Sequence, residues 1–184
     1  MLTIDKIFEA QRVLSEAIYK TDVIRADKVT DECELWLKTE NLQKTGSFKI
    51  RGAYYKISQL SNEERKKGVI ACSAGNHAQG VAYAAQKNGI PALICLPEGA
   101  PISKVEATRG YGADICLVPG VYDDAYNRAL ELQHQHGYVF IHPFDDEEVI
   151  AGQGTVGLEI LSQMDGVDAI VVPVGGGGLI SGIA

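Results

Sequence analysis

The chain has 184 residues, with 17 Lys and Arg against 24 Asp and Glu for a net charge of −7, and 46% of its residues are hydrophobic. That hydrophobic share excludes a disordered chain, and the acidic balance argues against broad binding to nucleic acid or a membrane surface, whose phosphates repel it. No apolar run reaches the roughly 18 residues a membrane span needs, and Met1-Leu2-Thr3-Ile4-Asp5-Lys6 lacks the basic start and apolar stretch of a signal peptide. The expectation is a cytoplasmic α/β protein, rich in glycine with 20 residues.

Ile4, Ile7, Phe8, Leu14 and Ile18 recur at helical spacing behind Thr3, a suitable N-cap. Alternation around Leu35 and Leu37 predicts a strand from Cys33 to Glu40. The polar turn Gln43-Lys44-Thr45-Gly46-Ser47 then starts a helix with Phe48 and Lys49 in its first turn. From Val69 the rhythm becomes strand, turn, helix. Strands are predicted at 69–72, 92–96, 114–118, 138–141 and 169–174, and helices from after Asn76 to Asn88 and at 103–109, 122–136 and 150–164, with Gly89 and Gly137 as stops. Short strands that are apolar throughout and separated by helices predict open parallel sheets covered on both faces. The last residues, Leu179 to Ala184, open a helix that does not end, as expected for part of a larger protein.

The four cysteines form no Cys-x-x-Cys pair and have no His at metal-ligand spacing, so Cys33, Cys72, Cys95 and Cys116 are expected to be small buried hydrophobes in strands. His134 and His136 fall near a helix end, where a solvated face and the negative end of the helix dipole account for them.

Three places carry chemistry. Gly175-Gly176-Gly177-Gly178-Leu179 joins a strand to a helix, where backbone N–H groups can approach an anion, and predicts a phosphate cradle. Its spacing fits neither Gly-x-Gly-x-x-Gly nor a Walker loop. Ser73-Ala74-Gly75-Asn76-His77, again between strand and helix, offers N–H groups, a hydroxyl and an amide to a carboxylate or ring hydroxyl, although Ser and Asn also cap helices for structural reasons. Lys49 stands between Ser47-Phe48 and Arg51-Gly52-Ala53. Desolvated there, it would have a lowered pKa and act as nucleophile and base.

Together these segments resemble the fold-type-II pyridoxal-phosphate enzymes, in the branch of threonine/serine dehydratases and serine racemases. The resemblance is carried by Lys44-Thr45-Gly46-Ser47-Phe48-Lys49, by Ser73-Ala74-Gly75-Asn76-His77-Ala78-Gln79-Gly80 and by Gly175 to Leu179. Pro97 to Val105 and Ala151-Gly152-Gln153-Gly154-Thr155 extend it from about Leu35 to Ala184. It implies a tryptophan-synthase-β-like fold in which a small α/β domain, 68–147, is inserted in a larger domain formed from 1–67 and 148–184, the larger one being incomplete. It implies that Lys49 bonds pyridoxal 5'-phosphate covalently, that Phe48 packs against the ring and that Asn76 bonds the ring hydroxyl. The backbone of Gly175, Gly176, Gly177, Gly178 and Leu179 would hold the phosphate, and Ser73, Ala74, Asn76 and His77 the substrate end. The activity implied is conversion of threonine or serine to a 2-oxo acid and ammonia. Racemases of this family carry a serine where this chain has Ala74, which favours elimination over inversion. The same family's racemase chemistry, and a non-catalytic phosphate- or nucleotide-binding fragment, are the alternative expectations. Relatives are commonly dimers or tetramers, so a homo-oligomer is expected, and some bind a nucleotide effector near the segment matching Lys44-Thr45.

Overall fold

A computed structural model describes residues 1–184. Helix α1 (Ile4–Leu14) is capped by Thr3, whose hydroxyl accepts from the Lys6 amide, and buries Ile7, Ala10 and Leu14. Ile4 and Phe8, expected on its apolar stripe, face outward, and Ile18 is buried in the turn beyond the helix. Strands β1 (Val23–Arg25) and β2 (Trp36–Lys38) pair antiparallel as a two-stranded sheet. The strand expected over 33–40 is thus only three residues long. Cys33 is exposed, not buried, and Glu40 opens a 3-10 turn, Glu40–Leu42. The reason is electrostatic: the Glu40 carboxylate turns inward to Arg51 instead of continuing the ladder. Helix α2 (Lys49–Ser58) begins as the sequence predicts. Helix α3 (Asn62–Lys67) follows with a reciprocal Ser61–Glu64 capping box, a Ser-x-x-Glu signal not weighed in the expected elements.

The next segment is a four-stranded parallel sheet. Strand β3 (Val69–Cys72) leads to α4 (Asn76–Asn88), closed by Gly89 at φ +65, and β4 (Ala92–Pro97) to α5 (Ile102–Gly110). Strand β5 (Asp114–Val118) leads to α6 (Tyr122–His136) and β6 (Val139–Phe140), the last shorter than expected. The strand order is β5-β4-β3-β6. Val69, Ala71, Ile94 and Leu96 point to one face, against Val81, Ala82 and Ala85 of α4 and Val105 of α5. Ile70, Cys72 and Cys95 point to the other, against Ala125, Ala129 and Leu132 of α6. Both faces are therefore dry, which is why these strands read as unbroken apolar runs. Burying one such isoleucine stabilises the fold by about 1.5–3 kcal/mol. Cys72, Cys95 and Cys116 sit in register across β3, β4 and β5. Burial pushes the Cys72 and Cys95 thiols up to about 11 and about 12, as packing groups and not nucleophiles. His134 and His136 are exposed in the last turn of α6.

Helix α7 (Glu147–Gln163) is capped by Asp146, whose carboxylate accepts from the Glu148 and Val149 amides at 2.9 and 3.1 Å. It is the spine on which the remaining elements meet. A Cβ on Gly152 would lie 2.6 Å from the Arg51 carbonyl oxygen of α2. A Cβ on Gly154 would lie 2.5 Å from the Gly182 carbonyl oxygen of α8 (Gly178–Ile183). Backbone thus touches backbone on two sides of α7, and only glycine permits it. Arg51, fully buried, ties the same crossing together: it donates to both oxygens of Glu40 and of Glu159 at 2.7–2.9 Å, and Lys38 also bonds Glu159. The strand expected at 169–174 is not formed. The segment has no neighbouring strand to complete its hydrogen bonds, and Val171 is 93% exposed. No helix is long and apolar enough to cross a membrane.

Candidate active site

Lys49 is the first residue of α2, and its backbone N–H donates to the Ser47 hydroxyl at 3.3 Å. Gly80 of α4 lies against the backbone of Lys49 and Ile50, where a Cβ would come within 3.1 Å, so α4 backs closely onto the first turn of α2 that carries the lysine. The amine turns inward. Its Nζ donates to the Pro143 carbonyl oxygen at 2.6 Å and lies 5.4 Å from the centre of the Phe48 ring. Burial holds its pKa below the usual lysine value.

Pro143 belongs to the connector from β6 to α7, and its neighbour Phe144 packs on the tetraglycine loop. A Cβ on Gly176 would come within 2.3 Å of the Phe144 ring, and one on Gly178 within 2.8 Å of the Phe144 carbonyl oxygen. Gly177 stands at φ +89, a conformation other residues rarely adopt. The amine and the loop therefore meet on a single dipeptide, although 126 positions separate Lys49 from Gly175. The connector also holds His142, whose Nδ1 accepts from the Asp145 and Phe144 amides at 2.7 and 3.3 Å. Sequence reasoning passed over His142, Pro143 and Phe144. The available signal was their place at the carboxyl end of a parallel strand, where α/β sheets bind ligands.

Ser73, Ala74 and Gly75 leave the same end of β3 and lead into α4, with the Ser73 hydroxyl accepting from the Gly75 amide at 3.1 Å. Asn76 opens α4 with its side chain in solvent. His77 is buried and donates from Nε2 to the Ile141 carbonyl oxygen at 2.9 Å, leaving Nδ1 without a partner. Burial, aided by the Lys49 and His142 charges against the Ile141 bond, pushes it down to about 4, so the ring is neutral. Lys49, Gly176, Gly178 and His77 thus gather on residues 141–144, with the Phe48 ring beside the Lys49 amine. Asn76, Ser73 and Ala74 stand at the head of α4, Gly175 is exposed and Leu179 half-buried in α8.

A half-buried amine that shares one dipeptide with a glycine loop at a helix start is an arrangement able to take a phosphorylated carbonyl cofactor. The sequence profile of the pyridoxal-phosphate dependent enzymes matches residues 14–184, and the chain belongs to that family. It is similar to an L-threonine ammonia-lyase of Thermotoga maritima, 55% identical across all of this chain and 46% of that protein. The catabolic L-threonine dehydratase TdcB of Escherichia coli K12 is 49% identical across all of this chain and 56% of its own length. Among solved structures, maize serine racemase superposes with a TM-score of 0.96 at 42% identity, covering all of this chain and 56% of that one. The chain spans about half the length of the curated relatives it matches.

Proposed function

We propose that this chain supplies the lysine, the substrate loop and the phosphate cradle of a pyridoxal-phosphate-dependent ammonia-lyase. The reaction takes L-threonine to 2-oxobutanoate and ammonia, and L-serine to pyruvate and ammonia. The observation that carries the proposal is the meeting of Lys49 and the glycine loop on Pro143–Phe144. The residues fit the cofactor: Gly176 and Gly178 let the loop backbone lie close against Phe144, next to the carbonyl that holds the lysine, and the amine is kept from full hydration.

When bound, the cofactor supplies an electron sink for charge left at Cα. Lys49 would hold the cofactor through its amine and would be the base that takes the Cα proton, a task suited to an amine of lowered pKa. The backbone N–H groups of Gly175, Gly176, Gly177, Gly178 and Leu179 would hold the phosphate. Phe48, whose ring lies 5.4 Å from the Lys49 amine, would pack beside the cofactor ring, and the Asn76 amide would donate to the ring hydroxyl. Ser73 and the N–H groups of Ala74 and His77 seat the substrate carboxylate. His77 does so from its backbone, because its ring is committed to Ile141.

The racemase reading is supported by the likeness to maize serine racemase, but inversion needs a proton carrier on the second face, and a methyl group at Ala74 cannot be one. With this site goes the division into a small domain, 68–147, set between 1–67 and 148–184, since β3 to β6 form a sheet of their own. A cytoplasmic homo-oligomer is also proposed. An effector nucleotide would lie near Lys44, whose ammonium stands 5.0 Å from the Tyr19 ring and 6.0 Å from the Tyr83 ring.

The test is to add pyridoxal phosphate to the full-length protein and read visible absorbance, then trap the adduct with borohydride and map it. Modification at Lys49, lost in Lys49→Ala, is the expected result. A folded protein with no absorbance would favour the phosphate-binding module instead.

A further inference from the structure

We infer that His142 is a positioning residue for Lys49: its unprotonated Nδ1 ties down the turn that aims the Pro143 carbonyl at the amine and the Phe144 ring at the glycine loop. The inference rests on the proposed role of Lys49.

The geometry is specific about protonation. Two backbone N–H groups, of Phe144 and Asp145, converge on His142 Nδ1 at 3.3 and 2.7 Å. A nitrogen that accepts from both carries no hydrogen, so the ring is neutral with its proton on Nε2. The residue before it is pinned separately, by the bond from His77 to the Ile141 carbonyl. The connector is therefore fixed at 141 and again at 144–145. Pro143, between them, has its carbonyl on Lys49 Nζ. The His142 ring also meets the Phe144 ring edge-on, 4.7 Å between centres, which holds Phe144 against Gly176.

The groups facing His142 are Lys49 from α2, His77 from α4, and Asp145 and Asp146 on the connector itself. Burial lowers its pKa, Lys49 adds to this, and the two aspartates oppose it, with a net value below the usual imidazole range. The sign follows: the turn is intact at neutral pH and is lost as pH falls below the ordinary imidazole value of 6.5 through the lower folded one. A proton arriving on Nδ1 would face two N–H groups, and the turn would open.

Two substitutions test this. In His142→Asn a side-chain oxygen can accept the same two amides as an Asx turn and does not titrate; His142→Ala removes the acceptor. The first measurement needs no cofactor: the apparent pKa of the Lys49 amine, from pH-dependent acetylation of the full-length protein read by peptide mass spectrometry. Wild type and His142→Asn should share a depressed value. In His142→Ala it should rise, with acetylation of Lys49 at neutral pH down about tenfold. The second measurement is the acid limb of serine elimination. Wild type should fall by about tenfold per pH unit below the His142 midpoint, and His142→Asn should lack that limb. An acid limb kept in His142→Asn, or a wild-type Lys49 pKa in a folded His142→Ala, overturns the inference. If His142→Ala does not fold, His142→Asn decides alone. Failure of wild type to take up the cofactor would refute the proposed function, while the acetylation arm still decides the role of His142.

Discussion

Substituting Gly52 with alanine tests whether the crossing of α2 and α7 sets the position of Lys49. In an ordinary helix interior the change is favourable by about 0.5–1 kcal/mol, because alanine loses less backbone entropy. Here the new Cβ would lie 2.5 Å from the Val149 carbonyl oxygen and 2.5 Å from Gln153 Nε2. The side-chain amide can turn away, but the carbonyl is part of α7. Relieving that contact means moving α2 outward by about 0.9 Å, against a core packed as densely as a crystal. Such overpacking costs about 1–3 kcal/mol, which outweighs the propensity gain. Lys49 lies three residues away on the same helix and moves with it. A misplacement of about 1 Å at a reacting group lowers the rate by about 100-fold. Thermal unfolding and cofactor absorbance, measured together, should show a lower Tm and slower attachment. Gly110→Ala is the control, since nothing lies within 4 Å of a Cβ there and its φ is ordinary; it should stabilise slightly. If Gly52→Ala behaves like Gly110→Ala, the close crossing does not position the lysine.

The buried ion network makes a second prediction. Glu159→Gln leaves Arg51 and Lys38 with one carboxylate fewer, and urea unfolding at pH 7 should show a loss of about 3–5 kcal/mol; a change below about 1 kcal/mol would sink that assignment. Burial alone would raise the Glu159 carboxyl, but the bonds from Arg51 and Lys38 prevail and hold it below its ordinary 4.5. Its contribution is therefore present above that value and fades as pH falls through the folded pKa, so wild-type stability should drop with acid more steeply than that of Glu159→Gln. At the substrate loop, Ala74→Ser adds a hydroxyl proton carrier. The ratio of d-serine formed to pyruvate formed should rise about tenfold or more, and an unchanged ratio would show that this position does not choose between inversion and elimination.

Much was legible in the chain order of residue types. The buried strands 69–72 and 92–96 show as apolar runs because both faces of a parallel sheet are dry, the sheet-edge strand 114–118 is legible although half-exposed, and Gly89 and Gly137 mark helix ends because they take left-handed φ. The lysine and the glycine loop could be marked as chemical because a desolvated amine and four consecutive glycines are costly without a use. Local pattern could not decide what depends on a distant partner. Glu40 leaves its strand for Arg51, residues 169–174 stay unpaired for want of a neighbour, and His142, Pro143 and Phe144 matter only through Lys49 and Gly176. Residue type and period report the environment of each position along the chain. The site arises where α7, through Gly152 and Gly154, lets two other helices come to backbone contact, and that proximity exists only once the chain has folded.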